Sequence, residues 1–152
     1  MTGIILALLL VPLFSALLVF SIPNTRKELF RPIGIVFSLI TFTQSMYILF
    51  SDYSKSDFQI LFRFEWIQVY GLEINLGISG MSTLLLLLSS LLVLLSLLSI
   101  GKDHSESKGF IGSILTLHFA INGVFISGDL ISLFIFFEAL LIPMYFLMGI
   151  WG

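Results

Sequence analysis

Between Glu73 and Lys102 the chain carries no charged residue, and residues 81–100 are almost wholly Leu, Ser, Val and Ile. A run of about 20 apolar residues is what a helix needs to cross the roughly 30 Å hydrocarbon core of a bilayer. Lipid is also the one solvent in which such a helix can be apolar on every side. Four more runs have the same character, so the chain is expected to form five transmembrane helices over about 3–22, 33–50, 81–100, 110–127 and 130–150. Composition agrees, with 58% hydrophobic and only 11% charged residues, against about 25% charged in soluble domains. Mean hydropathy is +1.12. The fold class expected is an all-α integral membrane protein, read as one membrane domain over 1–152.

Several function classes fall away. With no cysteine, there are no disulfides, thiolate zinc sites or Cys-ligated iron–sulfur clusters. Net charge is −2 and no long basic run occurs, so there is no footprint for nucleic acid. Gly77-Ile78-Ser79-Gly80 lacks the lysine of a phosphate loop, and Asp103, His104 and Glu106 match no metal-ligand spacing. No basic residue precedes the first apolar run, which is also too long for the core of a cleaved signal, so it reads as a retained span. The sequence ends at Trp151-Gly152 without a polar tail, which reads as an interruption.

The connections set topology. Residues 23–32 hold Arg26, Lys27 and Arg31, and 101–109 hold Lys102 and Lys108. These two connections lie on one side and carry five of the seven basic residues. Basic loops stay on the cytoplasmic side or its equivalent, so the N-terminus is expected outside and the C-terminus inside. The turn at Gly128 and Asp129 is so short that the last two spans must form an antiparallel hairpin. The long connection, 51–80, opens polar (Ser51, Asp52, Ser54, Lys55, Ser56, Asp57) and then alternates through Ile60, Phe62, Phe64 and Trp66. That period of two predicts a short β-hairpin on the outer surface, turning at Gly71.

Glu138 is the residue most in need of an explanation. It is the ninth residue of the last span, where a charged side chain costs at least about 2.5–3.5 kcal/mol. An intramembrane acid is a functional hypothesis by default, and a carboxyl in that position can take up and release a proton. The competing reading is a structural acid bonded to a neighbouring helix. Pro143, five residues on, cannot donate to the carbonyl of Ala139, so a kink or a water site is expected beside the acid. His118 is the other titratable group deep in a span, and Asn122 shares its face one turn on. Either the pair forms a polar link in a proton path beside Glu138, or it serves interhelical hydrogen bonding. Asp129 is expected to cap the last helix.

The stretch Asp129-Leu130 … Phe136-Phe137-Glu138-Ala139-Leu140-Leu141-Ile142-Pro143-Met144 … Gly149-Ile150-Trp151-Gly152 resembles subunit four of respiratory complex I, the proton-pumping NADH:ubiquinone oxidoreductase. Leu76-Gly77-Ile78-Ser79-Gly80-Met81-Ser82 is similar to that family's Leu-Gly-Ile-Asp-Gly-Ile-Ser, and Phe64-Glu65-Trp66 is similar too. The likeness is strong over about 62–152. It implies the N-terminal part of an antiporter-like bundle, with Glu138 matching the family's essential acid, which interacts with a lysine on a later helix. It also implies partners among other membrane-arm subunits and lipids; a Phe/Ile/Leu/Ser-rich chain and a split gene favour the mitochondrial inner membrane over the bacterial plasma membrane. NADH, FMN, iron–sulfur clusters and ubiquinone would sit on other subunits, with no cofactor or metal here. Ser79 departs from the family's Asp. The later helices and their lysines are missing, so a split subunit is expected, its remainder on a second polypeptide. The alternatives are a fragment of a multi-subunit cation/proton antiporter, or a structural membrane subunit without a transport role.

Overall fold

A computed structural model describes residues 2–51 and 57–152. The polar opening of the long connection at Asp52, Ser54, Lys55 and Ser56 lies outside the described residues. Six α-helices are present among the described residues: α1 (Thr2–Ser21), α2 (Phe30–Phe50), α3 (Gly80–Ser99), the single turn α4 (Lys102–Ser105), α5 (Lys108–Ile126) and α6 (Leu130–Trp151). All except α4 are long and apolar enough to cross a membrane.

The helix starts follow local chemistry. α2 begins at Phe30 rather than at 33, after a 3₁₀ segment Asn24–Leu29. This leaves Pro32 in the first turn, where no N–H partner exists to be lost. Ser79 accepts a hydrogen bond from Ser82 N at 3.2 Å while Ser82 Oγ accepts from Ser79 N at 2.6 Å, a reciprocal cap that opens α3. Ser and Asp are comparable caps, so Ser79 keeps the helix start and gives up only the charge. Ser107 caps α5 through Phe110 N at 3.3 Å, which starts that helix at Lys108 rather than at 110.

The connection between α2 and α3 is the expected antiparallel hairpin, β1 (Gln59–Ile67) against β2 (Leu72–Ile78). Phe62 pairs with Leu76 and Phe64 with Ile74. Gly71 turns the chain with φ 63°, a left-handed conformation that only glycine adopts without cost. Leu76 and Ile78 are buried with Ile5, Leu8, Leu9, Ile48, Leu86 and Ile126, so the hairpin closes one end of the bundle. A second apolar cluster, of Ala16, Val19, Phe30, Val93, Leu97, Ile111 and Leu115, fills the other end. Two cations fasten that other end. Arg31 donates from Nε to Leu97 O at 2.9 Å and from Nη2 to Leu98 O at 2.5 Å, and Lys108 Nζ donates to Phe20 O at 3.3 Å. These are the last carbonyls of α3 and α1, which lack helical partners and carry the negative end of the helix dipole.

α6 packs along α5 by a close approach at Gly123, where the ring of Phe136 lies against Cα and leaves no space for a methyl. Phe136 also meets Phe119 edge-on at 5.8 Å. Gly123→Ala is expected to push α6 outward and cost about 1–3 kcal/mol, the usual penalty for overpacking. A lowered unfolding midpoint of the detergent-solubilised protein checks this, and Phe136→Ala in the same background is expected to recover part of it.

Candidate functional site

α6 is the least enclosed of the five long helices. Of its 22 residues only Ser132 and Pro143 are buried, whereas nine residues of α5 are. Phe136 and Pro143 turn toward the bundle. At 100° per residue, Glu138 stands about 200° round the helix from Phe136, so it points away from α5, and it is exposed. It lies in a shallow depression with Ala139, Leu141, Ile142, Tyr145 and Phe146. Among the described residues, no ion pair or hydrogen bond reaches its carboxylate; the ion pair recorded among them joins Arg63 to Glu73 at the hairpin. The helix therefore presents a bare carboxylate at mid-span on its free face. Pro143 sits just over one turn beyond it and has no N–H to give the Ala139 carbonyl.

His118 and Asn122 lie elsewhere, both fully buried inside the bundle of α1, α2, α3 and α5. On each of these helices the buried residues between the two apolar clusters include polar side chains or proline: Pro12 and Ser15, then Ser38, Thr41 and Ser45, then Ser89 and Ser90, then His118 and Asn122. A polar belt thus crosses the middle of the bundle. Asn122 joins α5 to two other helices, donating from Nδ2 to Leu8 O at 3.3 Å and accepting from Ser89 Oγ at 3.2 Å. The first bond has a cause. Pro12 has no N–H to give Leu8, whose carbonyl would otherwise face a dry interior unpaired, and the amide of Asn122 fills the gap. His118 is different, because neither ring nitrogen has a hydrogen-bond partner among the described residues. The structure thus separates His118 from Glu138, one inside the bundle and the other on the outer face of α6. No hydrogen-bonded link between them occurs among the described residues.

Asp129 holds two elements at once. Its Oδ1 accepts from Ser132 N at 2.7 Å, capping α6, while Oδ2 accepts from Asn75 N of β2 at 2.6 Å and from Ser132 Oγ at 2.9 Å. Burial raises its carboxyl, but the hydrogen bonds from Ser132, Asn75 and Ile131 outweigh that and hold it below the usual carboxylate range. Reading the sequence found the cap and missed the second partner, which lies 54 residues away along the chain. It also missed the Pro12–Leu8–Asn122 contact, whose one signal was a proline inside an apolar run.

A bundle of five apolar spans that carries an acid at mid-span on its last helix defines a class, the multi-pass membrane proteins. No family model matches the chain. Individual relatives are clear. The chain is 34% identical over 148 residues to NADH-ubiquinone oxidoreductase chain 4 of Arabidopsis thaliana, covering 95% of this chain and 30% of that one. It is 32% identical over 148 residues to NADH-quinone oxidoreductase subunit M of Rickettsia conorii, covering 93% and 30%. To F(420)H(2) dehydrogenase subunit M of Methanosarcina mazei it is 33% identical over 147 residues, covering 95% and 29%. Among solved structures, respiratory complex I from Thermus thermophilus with bound NADH contains a chain that matches with a TM-score of 0.78 and 26% identity, over 98% of this chain and 29% of that chain. Over nearly its whole length the chain is similar to chain 4 (subunit M) of these oxidoreductases, and it spans about 30% of the length of the relatives it matches.

Proposed function

We propose that this chain is part of the proton-translocating membrane arm of respiratory complex I, coupling NADH:ubiquinone electron transfer to proton pumping, with Glu138 as its intramembrane proton-handling acid. The observation that carries the reading is the position of Glu138, at mid-span on the free face of α6 with no partner among the described residues. Against lipid that carboxylate costs at least about 2.5–3.5 kcal/mol, so the free face of α6 is the side on which the rest of the subunit sits and supplies the opposing charge. The covering helices belong to a second polypeptide or to a continuation of this one, and the apparent mass of the subunit in the assembled complex distinguishes the two. His118, the other titratable group deep in the spans, is assigned to the proton route inside the bundle, and Asn122 and Pro143 to shaping the polar belt and the site on α6.

No redox group is assigned to this chain. Its relatives serve enzymes named for NADH and for F420H2, so one membrane module accompanies different electron donors. NADH, FMN, iron–sulfur clusters and ubiquinone are assigned to other subunits. The location proposed is the mitochondrial inner membrane, with the hairpin and N-terminus on the outer side and the C-terminus in the matrix. Arg31 and Lys108, both fixed at the end away from the hairpin, support that orientation.

Purification of the native membrane complex with identification of its subunits by mass spectrometry tests the reading. Recovery with flavin and iron–sulfur subunits is expected. Recovery with antiporter subunits alone would move the chain to the cation/proton antiporters, and a stable solitary five-helix protein would overturn both assignments.

A further inference from the structure

We propose that Asp129 is the positioning residue of α6, one carboxylate oxygen capping the helix and the other holding strand β2, so that the outer hairpin fixes the rotation and height at which Glu138 is presented. The functional half of this proposal rests on the reading of Glu138 given above.

α6 is the least enclosed of the long helices. Only Ser132 and Pro143 are buried along it. Its side contacts with α5 are apolar, among them the Phe136 ring at Gly123 and beside Phe119 and, at the far end, Trp151 at Gly109 and edge-on to Phe110 at 5.4 Å. Apolar contact is not directional, so by itself it fixes the rotation and height of a helix less sharply than hydrogen bonds do. A shift of one residue moves it about 1.5 Å along its axis and about 100° around it, which would carry Glu138 from the free face to the flank of the bundle.

Directional bonds at the first turn oppose such a shift. Besides the two bonds to Ser132 and the one from Asn75 N, Gly128 N donates to Asn75 O at 2.7 Å and Ser127 bridges Leu76. Asn75 is itself held from the other strand, its Oδ1 accepting from Arg63 Nε at 3.1 Å, and Arg63 lies 3.5 Å from Glu73. The hairpin, seated on the bundle through buried Leu76 and Ile78, is therefore the fixed body against which α6 is registered. Glu138 is nine residues from Asp129, about 14 Å along the axis, near enough for a rigid helix to transmit that register.

Asp129→Asn isolates the tie. A carboxylate has two acceptor oxygens and an amide has one, so asparagine can accept from Ser132 N or from Asn75 N but not from both. Asparagine is also a good helix cap, so α6 should still form. The variant is made in the whole assembled complex beside wild type and Glu138→Gln. The expected result is normal assembly, amide exchange in the β2 segment around Asn75 about tenfold faster, as for loss of one charge-assisted hydrogen bond, and a displaced midpoint in the pH profile of proton pumping. Unchanged exchange in β2 overturns the proposal. Faster exchange with a wild-type pH profile also overturns it, provided Glu138→Gln is itself inactive in pumping. If Glu138→Gln pumps normally, the reading of Glu138 fails on its own account. The exchange result alone then decides whether Asp129 registers α6.

Discussion

Glu138→Gln is expected to reduce proton pumping by roughly two orders of magnitude, at the low end of what removing a positioned acid–base group costs, while the complex assembles at its normal level. Glutamine has nearly the size and shape of glutamate and keeps its hydrogen-bonding capacity, but it has no proton to exchange. It also removes the penalty of at least about 2.5–3.5 kcal/mol for a charge at mid-membrane, so no loss of folding should accompany the loss of function. Glu138→Asp keeps the chemistry and shortens the reach, so it should retain part of the activity. NADH-driven quenching of a pH-sensitive dye in sealed membrane vesicles gives the pumping rate, and subunit recovery gives assembly. Wild-type pumping from an assembled Glu138→Gln complex would make Glu138 a structural acid and the chain a subunit without a transport role.

That prediction uses a residue legible in the sequence and an orientation that was not. A charge inside an apolar run stands out by composition alone, as do the spans, because bilayer thickness sets their length. The hairpin was legible for a similar reason: Ile60, Phe62, Phe64 and Trp66 alternate, and Gly71 supplies the one backbone conformation other residues avoid. The rotation of α6 has no such local mark. Glu138 faces outward while Phe136 packs at Gly123 on another helix and Asp129 is tied to β2, and none of these contacts marks its own segment.

Helix starts were blurred where serines act as caps. Ser79 and Ser107 look like ordinary loop residues until Ser82 and Phe110 supply the backbone N–H groups they accept. Four residues of the 101–109 connection formed a turn of helix, α4, too short to leave a periodic signature. The pairing of His118 with Asn122 on one face was readable from their spacing of four. Their surroundings were not, because the polar belt is assembled from one to three small hydroxyl residues on each of several helices. A serine in a membrane helix ordinarily bonds back to its own backbone, as Ser45 does to Thr41 O at 3.0 Å, so its presence does not reveal which neighbour it will face.

The largest stability effect is expected inside that belt. Asn122→Leu removes the donor to Leu8 O and the acceptor for Ser89 Oγ in one step. Ser89 keeps its bond to Leu86 O at 3.0 Å, so its loss is small. Leu8 has no second recourse. The usual helical donor is missing because Pro12 occupies the position four residues on, and Leu8 is fully buried. Leaving a buried carbonyl unpaired costs about 1–3 kcal/mol, and interhelical bonds in membranes reach about 1.7 kcal/mol, so a loss of about 2 kcal/mol is expected. Pro12→Ala reverses the logic, since alanine restores the N–H and the helical bond to Leu8 O. Once that bond exists, Asn122 is no longer needed for it. The double variant should therefore be markedly more stable than the sum of the single changes, with a coupling of about 1 kcal/mol or more. Denaturant unfolding of the four proteins in one detergent measures it. Simple additivity would show that Asn122 contributes by filling space rather than by completing the broken turn of α1, and the belt would then be a packing feature with polar atoms in it.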